Sequence, residues 1–268
     1  MRELHEILLG ILAGVAQGIS EWLPVSSKTI LLLIFYAFGS SPSNAYVIGL
    51  FLNGATSLAA AIYFRRDFAE IVKGVYVKGH GRALLCFLLV STFVTAVTAI
   101  PLAGAAANLL SGFGGFSMIL IGLLFVLTGA ISWMREKVGG KELNRTPTLL
   151  DAVIAGVAQG FSALPGISRS GVTILALLLL RHCPRSAIRL SFLMSIPATL
   201  GGSIYAYILS PATLNELSHF TAIPAIITSL IVSLVVISTL IRVSQRVKAH
   251  FFAAILAAIS LLVGMGLI

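Results

Sequence analysis

The sequence predicts an all-α integral membrane protein built as an inverted-topology repeat, with about six transmembrane helices and two re-entrant broken-helix pairs. Three observations predict it. Of 268 residues, 58% are hydrophobic and 10% charged, with a mean hydropathy of +1.03; a soluble domain could not keep that much apolar surface from water. Basic connections alternate with connections that carry no Lys or Arg. The hexapeptide AGVAQG occurs twice, at 13–18 and 155–160, each copy running into Leu-Pro and a basic, hydroxyl-rich triplet.

The whole chain reads as one membrane domain, with repeat one at 1–134 and repeat two at 149–268. Repeat one opens with a re-entrant pair at 5–38, where Leu23-Pro24 interrupts the helix, because proline and its predecessor disfavour helical geometry. A signal peptide over residues 7–18 is disfavoured by Glu3 and Glu6 and by the recurrence of the hexapeptide in mid-chain. Apolar stretches of spanning length follow at 45–64, 84–104 and 115–134. Repeat two opens with a re-entrant pair at 149–181, broken at Leu164-Pro165-Gly166, and continues with spans at 188–209, 221–241 and 249–268.

The charges thread these elements. Of 18 Lys and Arg, fifteen fall in four segments: Arg65 to Arg82, Arg135 to Arg145, Arg181 to Arg189, and Arg242 to Lys248. Connections 39–44, 105–114 and 210–220 hold none. The positive-inside rule puts the four basic segments in the cytoplasm of a multi-pass cell-membrane (plasma or inner membrane) protein. Had 149–181 crossed, the last two basic segments would lie outside, so the second copy enters and leaves on the cytoplasmic side. Three spans separate the copies, so the first enters from the opposite face. Charge alone permits a full span at 5–38; the repeat favours a re-entrant pair. The net charge of +9 is loop charge of this kind and needs no nucleic-acid partner.

Once the loops are counted, Glu21, Lys28 and Arg169 remain at membrane depth, all in the repeat tips. Each costs on the order of 2.5–3.5 kcal/mol there, so they imply mutual pairing, a ligand, or both. A salt-bridged cluster that only pins the repeats together leaves the surplus hydroxyls Ser26, Ser27, Thr29, Ser168, Ser170 and Thr173 without a role. Two cations, these hydroxyls and the N-termini of half-helices starting after Pro24 and Pro165 suit a phosphate. A diphosphate carries more negative charge than Lys28 and Arg169 neutralise, and a divalent cation, Mg²⁺ or Ca²⁺, would restore the balance. Gln17 and Glu21, spaced i, i+4 on one helix face, suit a sparse site of that kind. Asn53 either faces the cavity or bonds another helix. Gly10, Gly14 and Gly18 read as a close helix-packing face. The five histidines lie in terminal or loop sequence, and Cys86 and Cys183 have no metal or redox spacing. The copies are offset by 142 residues before Glu21 and by 141 from Leu23 onward, which aligns Lys28 with Arg169.

These residues resemble the undecaprenyl-diphosphate phosphatases. Gln17 to Ser27, QGISEWLPVSS, is similar to the family's (E/Q)xxxE segment followed by Leu-Pro-Val-Ser-Ser; Pro165 to Thr173, PGISRSGVT, fits its PGxSRSxxT pattern. Tyr63 to Asp67 and Ser191 to Pro197 add weaker support. The resemblance implies an enzyme that removes the terminal phosphate of a polyprenyl diphosphate during carrier-lipid recycling. It implies Glu21, Ser27 and Arg169 as catalytic residues and Gln17 with Glu21 at a metal or handling protons. Ser26, Lys28, Thr29, Ser168, Ser170 and Thr173 would cradle the phosphate. One departure stands out: Ile30 occupies the place of the family's usual histidine. Either Glu21, desolvated, activates water or Ser27, or this member binds or translocates polyprenyl phosphates without hydrolysing them. The reading is compatible with a monomer or a homodimer.

Overall fold

The computed structural model describes residues 2–112, 114–137 and 145–243, and every regular element there is helical. Helix α1 (Arg2–Ser20) and α2 (Ser27–Ala37) flank the Leu23-Pro24 break, and α7 (Leu149–Phe161) and α8 (Arg169–Leu179) flank the Leu164-Pro165-Gly166 break. In both places the helix is interrupted at the Leu-Pro pair. The long helices are α3 (Pro42–Tyr63), α5 (His80–Gly112), α6 (Gly114–Lys137), α9 (Pro184–Leu209) and α11 (His219–Val243). Four of them, α3, α5, α9 and α11, are long and apolar enough over their described residues to cross a membrane. The span expected at 249–268 lies outside the described residues. The basic segment after α3 is itself helical, as α4 (Arg65–Tyr76), and a short α10 (Pro211–Glu216) follows α9.

Local chemistry sets these ends. Ser41 accepts a hydrogen bond from the Asn44 amide at 3.3 Å and Pro42 occupies the first turn of α3, where a missing N–H costs nothing. Thr148 and Asp151 close a reciprocal capping box on α7.

Packing exchanges partners between the repeats. Helix α1 packs on α11 and α7 on α5, while α3 packs on its counterpart α9. Glycines allow the first two contacts. A side chain at Gly10 or Gly14 would strike the backbone of Thr221 or Ala225 on α11, and one at Gly156 or Gly160 would strike Ser91 or Thr98 on α5. The GxxxG spacing is thus a packing face, matched at the homologous place in repeat two. One apolar core, with Trp22, Phe87, Phe192 and Leu193, joins α3, α5, α8, α9 and the first break; a second, around Leu31, Phe35, Tyr46 and Leu52, holds α2 against α3. Between them meet the two breaks.

Candidate active site

Helices α2 and α8 both begin at the meeting point, so their amide-rich N-termini lie at the breaks. Ser26 and Ser168 are the two cap residues, and each carbonyl accepts the first helical bond, from Ile30 and Val172, at 3.1 Å in both cases. This equivalence restores an offset of 142 and pairs Arg169 with Ser27, not with Lys28 as the Leu-Pro alignment has it. The physical cause is Gly166, an extra residue between proline and cap in the second tip, held at φ +92°, a left-handed conformation that glycine adopts without steric cost. The first tip has its extra residue before Leu23, at Glu21-Trp22.

Glu21 is the hub. Its Oε2 accepts the Ser27 hydroxyl at 2.6 Å and Gln17 Nε2 at 3.1 Å, and its Oε1 accepts Arg169 Nη2 at 3.1 Å and Nε at 3.3 Å. Arg169 also donates to the Ser191 and Glu21 carbonyls, and its guanidinium lies 5.6 Å from the Trp22 ring centre. Glu21 and Arg169 are only 3% and 5% exposed, and a buried pair survives at such depth only when its remaining hydrogen-bonding positions are met, as they are here. Lys28 is as deeply buried as Arg169 and has no hydrogen-bonded or ion-paired partner among the described residues. It lines a cavity of about 190 Å³ with Glu21, Asn53, Gln159, Ser162 and Arg169.

The other expected phosphate ligands are placed differently. Thr29 Oγ1 accepts the Gly166 amide at 2.5 Å and lies 3.0 Å from Ser26 Oγ. Ser170 Oγ donates to the Leu23 carbonyl at 2.7 Å, with Ser168 Oγ 3.3 Å away. Thr173 bonds the Arg169 carbonyl and Ser191. These five hydroxyls join the tips to each other and to α9. Thr128 of α6, not singled out in the sequence, donates to the Gly166 carbonyl at 2.5 Å and accepts the Ser168 amide at 3.2 Å.

Repeat two supplies cavity groups that sequence reasoning passed over. Gln159, the counterpart of Gln17, donates to Thr95 at 3.1 Å and to the Met194 carbonyl at 3.3 Å. Asn53 does both things left open for it, accepting Gln17 Nε2 at 2.7 Å and facing the cavity. The Oε1 atoms of Gln17 and Gln159 are buried and have no partner among the described residues. A metal finds only hard oxygen donors here: the Gln17 amide, the Glu21 carboxylate and Asn53. Among the described residues no cluster of three His, Cys, Asp or Glu exists. Gln17 turns its Nε2, not its Oε1, toward Glu21 and Asn53, so a sparse oxygen-ligated cation completed by phosphate and water would require that amide to turn over.

The bacitracin resistance protein BacA family matches residues 10–262, which contain both tips and the cavity. The chain belongs to the BacA family. An undecaprenyl-diphosphatase of Pyrobaculum aerophilum is 43% identical over 205 residues, 75% of this chain and 77% of the relative. One from Methanococcoides burtonii is 41% identical over 202 residues, covering 72% and 76%; one from Saccharolobus islandicus is 36% identical over 230 residues, covering 84% and 82%. In this BacA member no histidine lines the cavity among the described residues. The base within reach of a hydroxyl is Glu21.

Charge is also buried outside the tips. Asp151 and His182 are 1% and 0% exposed. Arg145 bonds Asp151 with both nitrogens, at 2.8 and 2.7 Å. His182 Nε2 lies 3.3 Å from Asp151 Oδ2 without the alignment of a hydrogen bond. Burial, partly offset by Asp151 and reinforced by Arg145, holds the His182 imidazole below the usual histidine range.

Proposed function

We propose that this protein hydrolyses undecaprenyl diphosphate, or a polyprenyl diphosphate of similar build, to the monophosphate and inorganic phosphate in carrier-lipid recycling. The observation that carries the reading is the Ser27–Glu21–Arg169 constellation. A hydroxyl hydrogen-bonded to a buried carboxylate at 2.6 Å is a nucleophile beside its base, and the Arg169 fork and Lys28 supply charge where a phosphoryl group would transfer.

In the chemistry we propose, the headgroup lies in the cavity against Lys28 and Arg169. Ser27 Oγ attacks the terminal phosphorus, its proton passes to Glu21, and the bond to the bridging oxygen breaks, so that polyprenyl phosphate leaves. Glu21 passes that proton to the departing lipid phosphate; again a carboxylate, it takes a proton from water, which attacks the phosphoserine phosphorus, and returns it to Ser27 Oγ as inorganic phosphate leaves. A direct attack of water, with Ser27 as a ligand, uses the same base. Ser26, Thr29, Ser168, Ser170 and Thr173 act by holding the tips in register. A divalent cation on Gln17 and Glu21 would supply charge to a headgroup whose negative charge exceeds that of the two cations.

The same reading sets the two broken pairs as re-entrant elements of inverted repeats in the cell membrane, with the basic connections in the cytoplasm. The reciprocal packing of α1 on α11 and α7 on α5 supports it. The cavity residues of α5 and α9 lie well past the basic starts of those helices, so the headgroup is reached from the opposite side. Ile30 favours one competing reading, a translocase or binder of polyprenyl phosphates that releases no phosphate. Acid-quenched single turnover of lipid diphosphate labelled in its terminal phosphate separates the routes. Label on Ser27 supports the covalent route, prompt free phosphate with no labelled protein the water route, and no release from bound lipid the competing reading.

A further inference from the structure

We infer that Asn53 binds the substrate headgroup, its side-chain Nδ2 donating to a phosphate oxygen, and that Gln17 is the residue that aims it; this assignment rests on the lipid-diphosphate reading of the site.

The aim follows from a chain of obligatory hydrogen bonds. A carboxylate only accepts, so Glu21 Oε2 draws the nitrogen of the Gln17 amide, at 3.1 Å. The same nitrogen meets Asn53 at 2.7 Å, and Asn53 answers with its oxygen. Asn53 Nδ2 is therefore turned away from Gln17. It has no acceptor among the described residues, yet it is not sealed in the protein interior. Asn53 is only 3% exposed and lines the cavity, so the open side of that nitrogen is the cavity.

The backbone carries it there. A Cβ at Gly49 would stand 3.3 Å from the Lys28 carbonyl, so α3 meets the first turn of α2 at that level. Residues four apart share a helix face. Asn53, one turn beyond Gly49, continues the same seam to the place where Glu21 and Lys28 line the cavity.

The occupant follows from what these walls offer. Lys28 and Arg169 donate and cannot accept. Both oxygens of Glu21 are already engaged, Oε1 by Arg169 and Oε2 by Ser27 and Gln17. An amide N–H left without an acceptor at membrane depth is costly, so Asn53 is a third donor waiting on an acceptor. Two charged donors and one neutral donor around a single cavity are complementary to an anion that presents several oxygens, as a diphosphate does. A cation drawn to the Gln17 oxygen would turn both amides over and bring the Asn53 oxygen to the cavity. The donor is therefore read with divalent ions chelated.

The test uses full-length protein with ¹⁵N in its asparagine side chains, in lipid nanodiscs with excess chelator, and a methylene-bridged polyprenyl diphosphonate, which is not cleaved. Solid-state NMR is expected to show a short-range ¹⁵N–³¹P coupling that appears only when the diphosphonate is added. The coupled signal should be the one lost in Asn53→Leu, or in Asn53→Asp, which keeps the oxygen that Gln17 bonds, if the leucine variant does not fold. A role confined to packing or to holding Gln17 would give no such coupling. Folded Asn53→Leu should bind the diphosphonate at least about tenfold more weakly. Bound diphosphonate without coupling at Asn53, or unchanged affinity in folded Asn53→Leu, overturns the inference while leaving the phosphatase reading intact. Coupling at Asn53 with no phosphate released from the cleavable lipid, with Mg²⁺ restored, sinks the phosphatase reading and leaves the Asn53 contact standing. No binding of diphosphonate by the unsubstituted protein overturns both.

Discussion

Glu21 and Arg169, 148 residues apart, meet at 3.1 Å between Oε1 and Nη2 in the buried centre of the molecule. The contact joins the first tip to the second, and through Ser27 it joins both to a hydroxyl able to act as nucleophile. Structure and proposed chemistry thus share one pair of residues.

Removing one partner strands the other charge. Glu21→Gln and Arg169→Met should each destabilise the protein by about 3–5 kcal/mol, read as a lowered thermal unfolding midpoint in detergent. The double substitution should cost clearly less than the sum of the two, because coupled residues do not add. Strict additivity would show that the pair contributes no mutual stabilisation.

Lys28→Met keeps the length and apolar stem and deletes the charge. With no partner among the described residues to strand, the fold should hold. Affinity for lipid diphosphate should weaken by about 1.5–3 kcal/mol, roughly ten- to a hundredfold. Unchanged affinity, by titration of the folded variant, would leave Arg169 as the working cation of the site.

Much of this arrangement was legible in the chain. Helix positions follow from hydropathy, and both breaks follow from Leu-Pro pairs in a repeated context. The convergence of Glu21 and Arg169 follows from the cost of leaving either alone at membrane depth. The register between the tips was only half legible: the extra residue before Leu23 shows in the offset, but that Gly166 compensates for it before the helix caps is visible only in the backbone. Thr95 and Thr128 escaped notice because single polar residues in apolar helices carry no periodic signal, whereas Gln159 was marked by the repeat as the counterpart of Gln17 and was passed over. The burial of Asp151 was missed although Thr148-Leu149-Leu150-Asp151 has the capping-box spacing, a local signal that would have tied Asp151 to the start of α7.

His182 sets a pH dependence. It sits in the turn after α8 and its imidazole is held below the usual histidine range, chiefly by burial, so the unfolded chain binds more protons than the folded one below about pH 6.5. Its contribution to stability should be complete above that pH and be lost as pH falls through the lowered folded-state value. Unfolding midpoints measured from pH 7.5 to 5 should decline, and His182→Phe should flatten the decline. An equal slope in that variant would assign the effect to other groups.

Chelation tests the sparse cation site. Removing divalent ions should lower phosphate release by about tenfold or more, and Mg²⁺ or Ca²⁺ should restore it, whereas Gln17→Leu should need a higher metal concentration for half-restoration. Full activity in excess chelator would leave Gln17 and Glu21 without a metal role.

The most direct test of the central claim is inorganic phosphate released from undecaprenyl diphosphate by the purified protein, alone and as Glu21→Ala, Ser27→Ala and Arg169→Ala. The account predicts sustained release by the unsubstituted protein and a loss of at least about a hundredfold in each variant, with the lipid still bound by Ser27→Ala. Release that persists in Arg169→Ala, or a protein that binds the lipid and releases no phosphate under any condition, would contradict it.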